Sequence, residues 1–148
     1  ELRDSQFPRR FQLQFSVNST SEAARARLVP VALQPFAWIR EYAARFHEPG
    51  GRMVVLNFAL AETIPFDARE LGRHFDPATT CVKLTPLNPT DAGQDNLLES
   101  MSRERLEQAC AEVLAQGFPT VLSIGDPRED EIGSNCGQSV RRMRMAAP

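Results

Sequence analysis

The sequence predicts an α/β protein built on a parallel sheet, and three observations carry that prediction. Four short apolar segments, each seven to nine residues long, recur along the chain and are bounded by Gly, Pro, Asn or Ser. Between them lie segments in which apolar residues repeat at helical spacing. Each strand-to-strand connection is long enough to hold a helix, and crossovers of that length join parallel rather than antiparallel neighbours. The 148 residues, 42% hydrophobic and 24% charged, suffice for one domain with a core of its own.

The first strand is expected in RRFQLQFSV, Arg9 to Val17, where Phe11, Leu13, Phe15 and Val17 alternate with Gln12, Gln14 and Ser16. A short helix follows in NSTSEAARARLV, where Ser or Thr serves as cap and Glu22 suits the first turn; Pro30 closes it. The next helix starts with Pro35 at its first position and carries Phe36, Ile39, Ala43 and Phe46 on one face, up to Gly50-Gly51. Trp38 and Tyr42 share a face of this helix and read as packing residues. RMVVLNFAL, Arg52 to Leu60, is a second strand, apolar enough to be expected buried on both faces.

FDARELGRHF is a short helix with Phe66, Leu71 and Phe75 as core candidates. CVKLTPL, Cys81 to Leu87, is the third strand, stopped by Pro86 and Pro89. A polar loop leads to Ser102, which caps a helix that Gly117 ends. PTVLSIG is the fourth strand. The remainder, 126–148, reads as a polar loop around GSNCGQSV and a basic helical turn. The predicted order is β-α-α-β-α-β-α-β-(α), in a single unit spanning 1–148. Four strands are too few for an eight-stranded barrel, which leaves a small open sheet or half of a barrel.

In either arrangement ligands gather at the carboxyl ends of the strands. The polar groups there are Ser16 to Ser19, Glu62 and Thr63, Asn88, and the loop from Gly125 that contains Cys136. Ser16 and Asn18 also suit helix capping, and Asn88 between two prolines also suits a turn. Cys110 sits among Leu106, Ala109, Val113 and Leu114 at helical spacing and reads as a core residue. Cys81 opens a strand and reads the same way. His47 and His74 lie on polar helix ends and do not suit a metal. Arg141, Arg142 and Arg144 form either a phosphate-binding patch or a solvated last turn.

Three cysteines do not make a disulfide framework, and with no signal peptide at Glu1 the expected compartment is the cytoplasm. No apolar run approaches the roughly 18–20 residues of a membrane span, so no membrane partner is expected. A net charge of −2 gives no global attraction to nucleic acid.

Several motifs, in order, resemble the radical-SAM RNA methyltransferases of the RlmN/Cfr family. FSVNSTSEAARARLVP stands where that family has a strand ending in Ser-Leu-His, then a charged helix, an Arg and a Leu-x-Pro. VKLTPLNP, Val82 to Pro89, parallels the family's Val-Asn-Leu-Ile-Pro-x-Asn-Pro. GFPT and REDEIGSNCGQ parallel its Gly-(Phe/Tyr)-x-Thr, Arg-Gly-x-Asp-Ile and Ala-Cys-Gly-Gln. The chain departs from the pattern at Asn18 (usually His), Glu129 (Gly) and Asn135 (Ala).

The resemblance implies the distal half of a partial (βα) TIM-like barrel that methylates an adenine carbon of rRNA or tRNA. It implies S-adenosyl-L-methionine bound by Ser16, Val17, Asn18 and Asn88, and Cys136 as a cysteine that accepts a methyl group and passes its carbon to the base. It also implies a [4Fe-4S] cluster, RNA as substrate, and an electron donor such as flavodoxin or ferredoxin. No Cys-x3-Cys-x2-Cys motif is present in the 148 residues, so the cluster ligands are expected in an upstream half, and this chain alone is expected to be inactive. A half barrel would further be expected to self-associate through its open edges. The competing expectations are a non-catalytic RNA-binding or interaction module of the same descent, or a radical-SAM Fe-S redox enzyme with another substrate.

Overall fold

A computed structural model describes residues 10–29, 31–87 and 99–124. Its four strands are β1 (Gln14–Ser16), β2 (Val54–Leu60), β3 (Thr80–Pro86) and β4 (Thr120–Leu122). The helices are α1 (Glu22–Leu28), α2 (Phe36–Phe46), α3 (Ala68–His74) and α4 (Arg103–Ala115). The strands lie in chain order, β1-β2-β3-β4, and every neighbouring pair is parallel. The element order expected from the sequence is the observed one as far as β4; the basic helical turn expected after it lies outside the described residues.

The helix ends follow their local chemistry. The Ser21 hydroxyl accepts from Ala24 N–H at the start of α1, Asp67 from Arg69 N–H at α3, and Ser102 from Arg105 N–H at α4. Gly117 leaves α4 at φ +87°, a conformation closed to most side chains, as expected of a terminating glycine. Pro35 differs from expectation. It is the residue before the helix, extended at ψ 159°, and Phe36 is the first helical residue. The amide of Phe36 is accepted by the Glu22 carboxylate, which ties α2 to α1.

The edge strands are also shorter than expected. β1 pairs with β2 over three residues only, Gln14↔Val55 to Ser16↔Asn57, and β4 pairs with β3 over three. Short edges limit the row of free backbone groups that could recruit another strand.

Burial along the strands shows that the helices cover one face. Val54, Leu56, Phe58 and Leu60 of β2, with Val82 and Leu84 of β3, are fully buried. All of these but Val54 meet Phe36 and Ile39 of α2, Leu71 of α3, and Leu106 and Val113 of α4 in one cluster. The residues between them, Val55, Asn57 and Ala59 on β2 and Cys81, Lys83 and Thr85 on β3, are only partly buried. This corrects the expectation that β2 is buried on both faces: its opposite face carries Asn57 and abuts Lys83, and charged or amide side chains are not covered by an apolar helix layer. Cys81 is likewise not a core residue but half-buried on that second face. Cys110 is half-buried at the margin of the cluster.

A sheet with helices on both faces would be doubly wound, with its ligand site at a reversal of strand order. Here the order never reverses and α2, α3 and α4 all pack on one face, the arrangement of a barrel wall. The partly polar second face is then the inner face. Phe66 packs against the core from its margin, and Phe75 is 5% exposed within it, as expected. Trp38 and Tyr42 stack at 5.0 Å and pack with Phe15, again as expected of packing residues.

Candidate active site

The turn after β1 is the most constrained piece of backbone at the carboxyl end of the sheet. Asn18 has φ +64° and is the one non-glycine with positive φ among the described residues. Across it the Ser19 N–H donates to the Val17 carbonyl at 2.9 Å, which makes a γ-turn of the rarer positive-φ kind. Such a conformation costs free energy and persists only when its surroundings enforce it. Asn is among the few non-glycine residues that enter positive φ readily.

The surroundings do enforce it. The Asn57 carbonyl accepts from both Val17 N–H (2.8 Å) and Asn18 N–H (3.3 Å). The Asn18 side-chain carbonyl accepts from Ala59 N–H at 3.4 Å, continuing the ladder one step past the end of β1. Arg25, 4% exposed, donates to the Val17 carbonyl at 3.1 Å and to the Gln34 carbonyl at 3.2 Å, with its guanidinium 4.7 Å from the Phe36 ring centre. Burial lowers the pKa of Arg25 below the ordinary arginine value, an effect the nearby Glu22 carboxylate opposes. Fully buried Ser19 donates its hydroxyl to the Pro65 carbonyl, and Thr20 Oγ1 accepts from Asp67 N–H. The turn after β1 is thereby fastened to the loop after β2.

The three site residues expected on this turn do different things. Ser16 is exposed on the inner face, opposite Asn57. Val17 is 1% exposed and its N–H and C=O are both engaged inside the chain, so what it offers the site is anchorage. Asn18 spends its carbonyl on Ala59 and keeps its amide N–H donors for another partner. The other two expected site residues, Asn88 and Cys136, lie outside the described residues, as do Arg141, Arg142 and Arg144.

Two residues that the sequence reading passed over belong to the same face. Asn57 pairs in register with Ser16 on one side and Lys83 on the other. Its side-chain Oδ1 is buried and has no hydrogen-bond partner among the described residues. The signal was an amide in the middle of VVLNFAL and a lysine in the middle of CVKLTPL, each at the alternate position of its strand. Cys81, one step below Lys83, has its thiol pKa raised by burial, with a weaker opposing hydrogen bond to its own backbone; it is a poor nucleophile.

The groove between α1, α2 and α3 has less to offer. Glu22 is committed to Phe36 N–H, Asp67 to Arg69 N–H, and Glu70 to Arg73 and His74.

The fold and this site define a class: a barrel-wall α/β sheet with a strained, buttressed turn at the carboxyl end of a strand. Among solved structures, the chain is similar to a radical SAM methyltransferase from Sphaerobacter thermophilus, at 26% identity and a TM-score of 0.69. The match covers 92% of this chain and 40% of that one, and it falls on the C-terminal portion of the neighbour's TIM-type barrel. No family model and no curated protein matches the chain. The chain is thus a radical-SAM methyltransferase-like α/β region that spans about two fifths of the length of the enzyme it resembles.

The two groups that such a likeness brings with it fit the described residues unequally. An exposed serine, and an Asn18 amide donor and a buried Asn57 carbonyl that have no partner among the described residues, suit a polar organic ligand such as S-adenosylmethionine. No cluster of three or more His, Cys, Asp or Glu side chains that could hold a metal occurs among the described residues, so they do not fit an iron-sulfur cluster. Among the same residues, no helix is long and apolar enough to cross a membrane.

Proposed function

We propose that this chain forms the S-adenosylmethionine-facing wall of a radical-SAM methyltransferase that modifies an adenine carbon of RNA, with Cys136 as the methyl-carrying thiol. The observation that supports this reading best is the strained turn at Asn18. The one described non-glycine with positive φ falls on the segment that the family resemblance marks for cofactor binding, at the strand end where a barrel binds ligands. S-adenosylmethionine supplies an activated methyl group when bound. The residues of this chain orient it: Ser16 and Asn18 present a hydroxyl and an amide from the inner face, and the family resemblance adds Asn88 as a further contact. Cys136, between Asn135 and Gly137, lies in polar company suited to an accessible thiolate.

An iron-sulfur cluster and an electron donor such as flavodoxin or ferredoxin belong to the same reading. The test uses the longest form of the protein, reduced, with methyl-labelled S-adenosylmethionine and rRNA or tRNA. Label is expected on an RNA adenine and, with RNA omitted, on Cys136. Cys136→Ala is expected to abolish both. Label transfer to RNA that survives Cys136→Ala, or label that reaches neither RNA nor protein, overturns the reading.

A further inference from the structure

We propose that the basic segment 141–145 of this chain docks in the acidic groove between α1, α2 and α3. That segment reads Arg-Arg-Met-Arg-Met, three guanidinium groups interleaved with two thioethers, and the proposed methyl transfer makes no use of it. The groove measures about 580 Å³. Phe36, Pro65 and Phe66 line it with apolar surface, and Glu22, Asp67 and Glu70 add three carboxylates. It opens at the carboxyl end of the sheet, since its walls are the loops and helix starts that follow β1 and β2.

The hydrogen bonds that occupy these carboxylates do not neutralise them. Glu22 accepts from Phe36 N–H and Asp67 from Arg69 N–H, uncharged donors that leave the negative charge in place. Arg25 lies close to Glu22 but spends its donors on the Val17 and Gln34 carbonyls. Of the three, Glu70 alone is ion-paired among the described residues, with Arg73 and His74. An ionised carboxylate has about four acceptor sites, so each keeps room for a guanidinium. The groove repels a phosphate, which sets RNA aside as its occupant, and it attracts arginine. Its rings suit methionine, whose thioether packs well against aromatic edges.

Asp126, Glu129, Asp130 and Glu131 stand nearer to the basic segment in the chain, but their stretch, DPREDEIG, offers charge without aromatic surface. Chain length permits the longer reach. Residues 125–140 span up to about 50 Å when extended, whereas β1 lies three strand spacings from β4, about 14 Å. Docking draws the intervening Cys136 toward the ends of β1 and β2, where Asn18 stands. That consequence rests on the methyl-carrier reading above; the docking itself does not.

The test exploits the fact that Lys83 is the single lysine of the chain. Arg142→Lys and Arg144→Lys together place two traceable amines in the segment and keep its charge. The 148-residue chain carrying both is treated with a carbodiimide, which joins an amine to a carboxylate in contact, and the joined peptides are located by mass spectrometry. Links from the new lysines to Glu22, Asp67 or Glu70 within one chain are expected. Adding Glu70→Gln should lower the yield of links to Glu22 and Asp67 about twofold to fivefold, the worth of one exposed ion pair, and circular dichroism checks that the variant folds. Links confined to Asp126, Glu129, Asp130 or Glu131, links only between copies, no links, or a yield that Glu70→Gln leaves unchanged overturn the proposal. Neither cofactor nor RNA is present, so such a failure leaves the methyltransferase reading standing, and failure of the labelling assay leaves the docking standing.

Discussion

Arg25 offers the sharpest test of how the site is built, because it is nearly inaccessible and two backbone carbonyls depend on it. Replacement by Met keeps an apolar stem of similar length and removes the guanidinium. Lost are the donations to the Val17 carbonyl at 3.1 Å and the Gln34 carbonyl at 3.2 Å, together with the contact over Phe36. Hydrogen bonds from a charged donor contribute about 1.5–3 kcal/mol each, and a desolvated cation over an aromatic ring up to about 2 kcal/mol. Two things reduce the sum. Burial already works against the charged form of Arg25, and the Val17 carbonyl keeps its bond from Ser19 N–H.

A net loss of roughly 3 kcal/mol is expected, which for a domain of this size lowers Tm by about 6–12 °C. Arg25→Lys should fall between, since one ammonium cannot span two carbonyls in the way a planar fork does. Thermal and urea unfolding followed by circular dichroism measure both. Because Arg25 anchors the base of the Asn18 turn, Arg25→Met should also weaken S-adenosylhomocysteine binding at temperatures where the variant is fully folded. A melting point within about 2 °C of the parent chain would show that the buried guanidinium does not brace this turn.

Asn18→Gly should be close to neutral in stability, because glycine accepts φ +64° without strain, whereas Asn18→Val should cost about 1–2 kcal/mol; both should weaken ligand binding, since both lose the amide. Comparable melting points for the two variants would contradict the strained turn. Cys81, its thiol pKa raised by burial, should alkylate more slowly than a free thiol at pH 8. Its stabilising effect should be full below the unfolded thiol pKa and lost as pH rises through the folded value, a difference that a Cys81→Ser comparison across alkaline pH would read. Leu84→Ala, at a fully buried position under the helix layer, should cost about 2–5 kcal/mol in urea unfolding. Ser21→Ala should cost about 1 kcal/mol, the usual loss of a helix cap.

The alternation of helices and strands could be read from the sequence because each element carries its own punctuation. Ser21, Asp67 and Ser102 cap helices where their side chains can reach a free N–H, and Gly117 stops one where only a positive φ continues the chain. Elements whose limits depend on neighbours were less legible. β1 ends at Ser16 because its ladder with β2 ends there, and nothing within RRFQLQFSV sets that limit. Pro35 could open a helix or precede one, and the Glu22 carboxylate on Phe36 N–H goes with the second.

The inner face was the larger omission, and its cause is instructive about strands in barrel walls. VVLNFAL looks like a strand buried on both sides because Val55 and Ala59 are apolar and only Asn57 breaks the run. Read beside β3 in register, Val55, Asn57 and Ala59 face the same side as Cys81, Lys83 and Thr85, and that shared face is of mixed polarity. The opposite positions of both strands are fully buried under helices. Single-strand periodicity cannot show this, because an amide or a lysine at one alternate position is as consistent with an irregular edge as with a ligand-facing wall. Pairing decides it. Once Asn57 is fixed between Ser16 and Lys83, an exposed serine, a buried carbonyl with no partner among the described residues and a lysine occupy one line beneath the strained turn at Asn18. A wall that only closed a core would have little use for that line, since an apolar residue at Asn57 would leave no buried amide oxygen to satisfy.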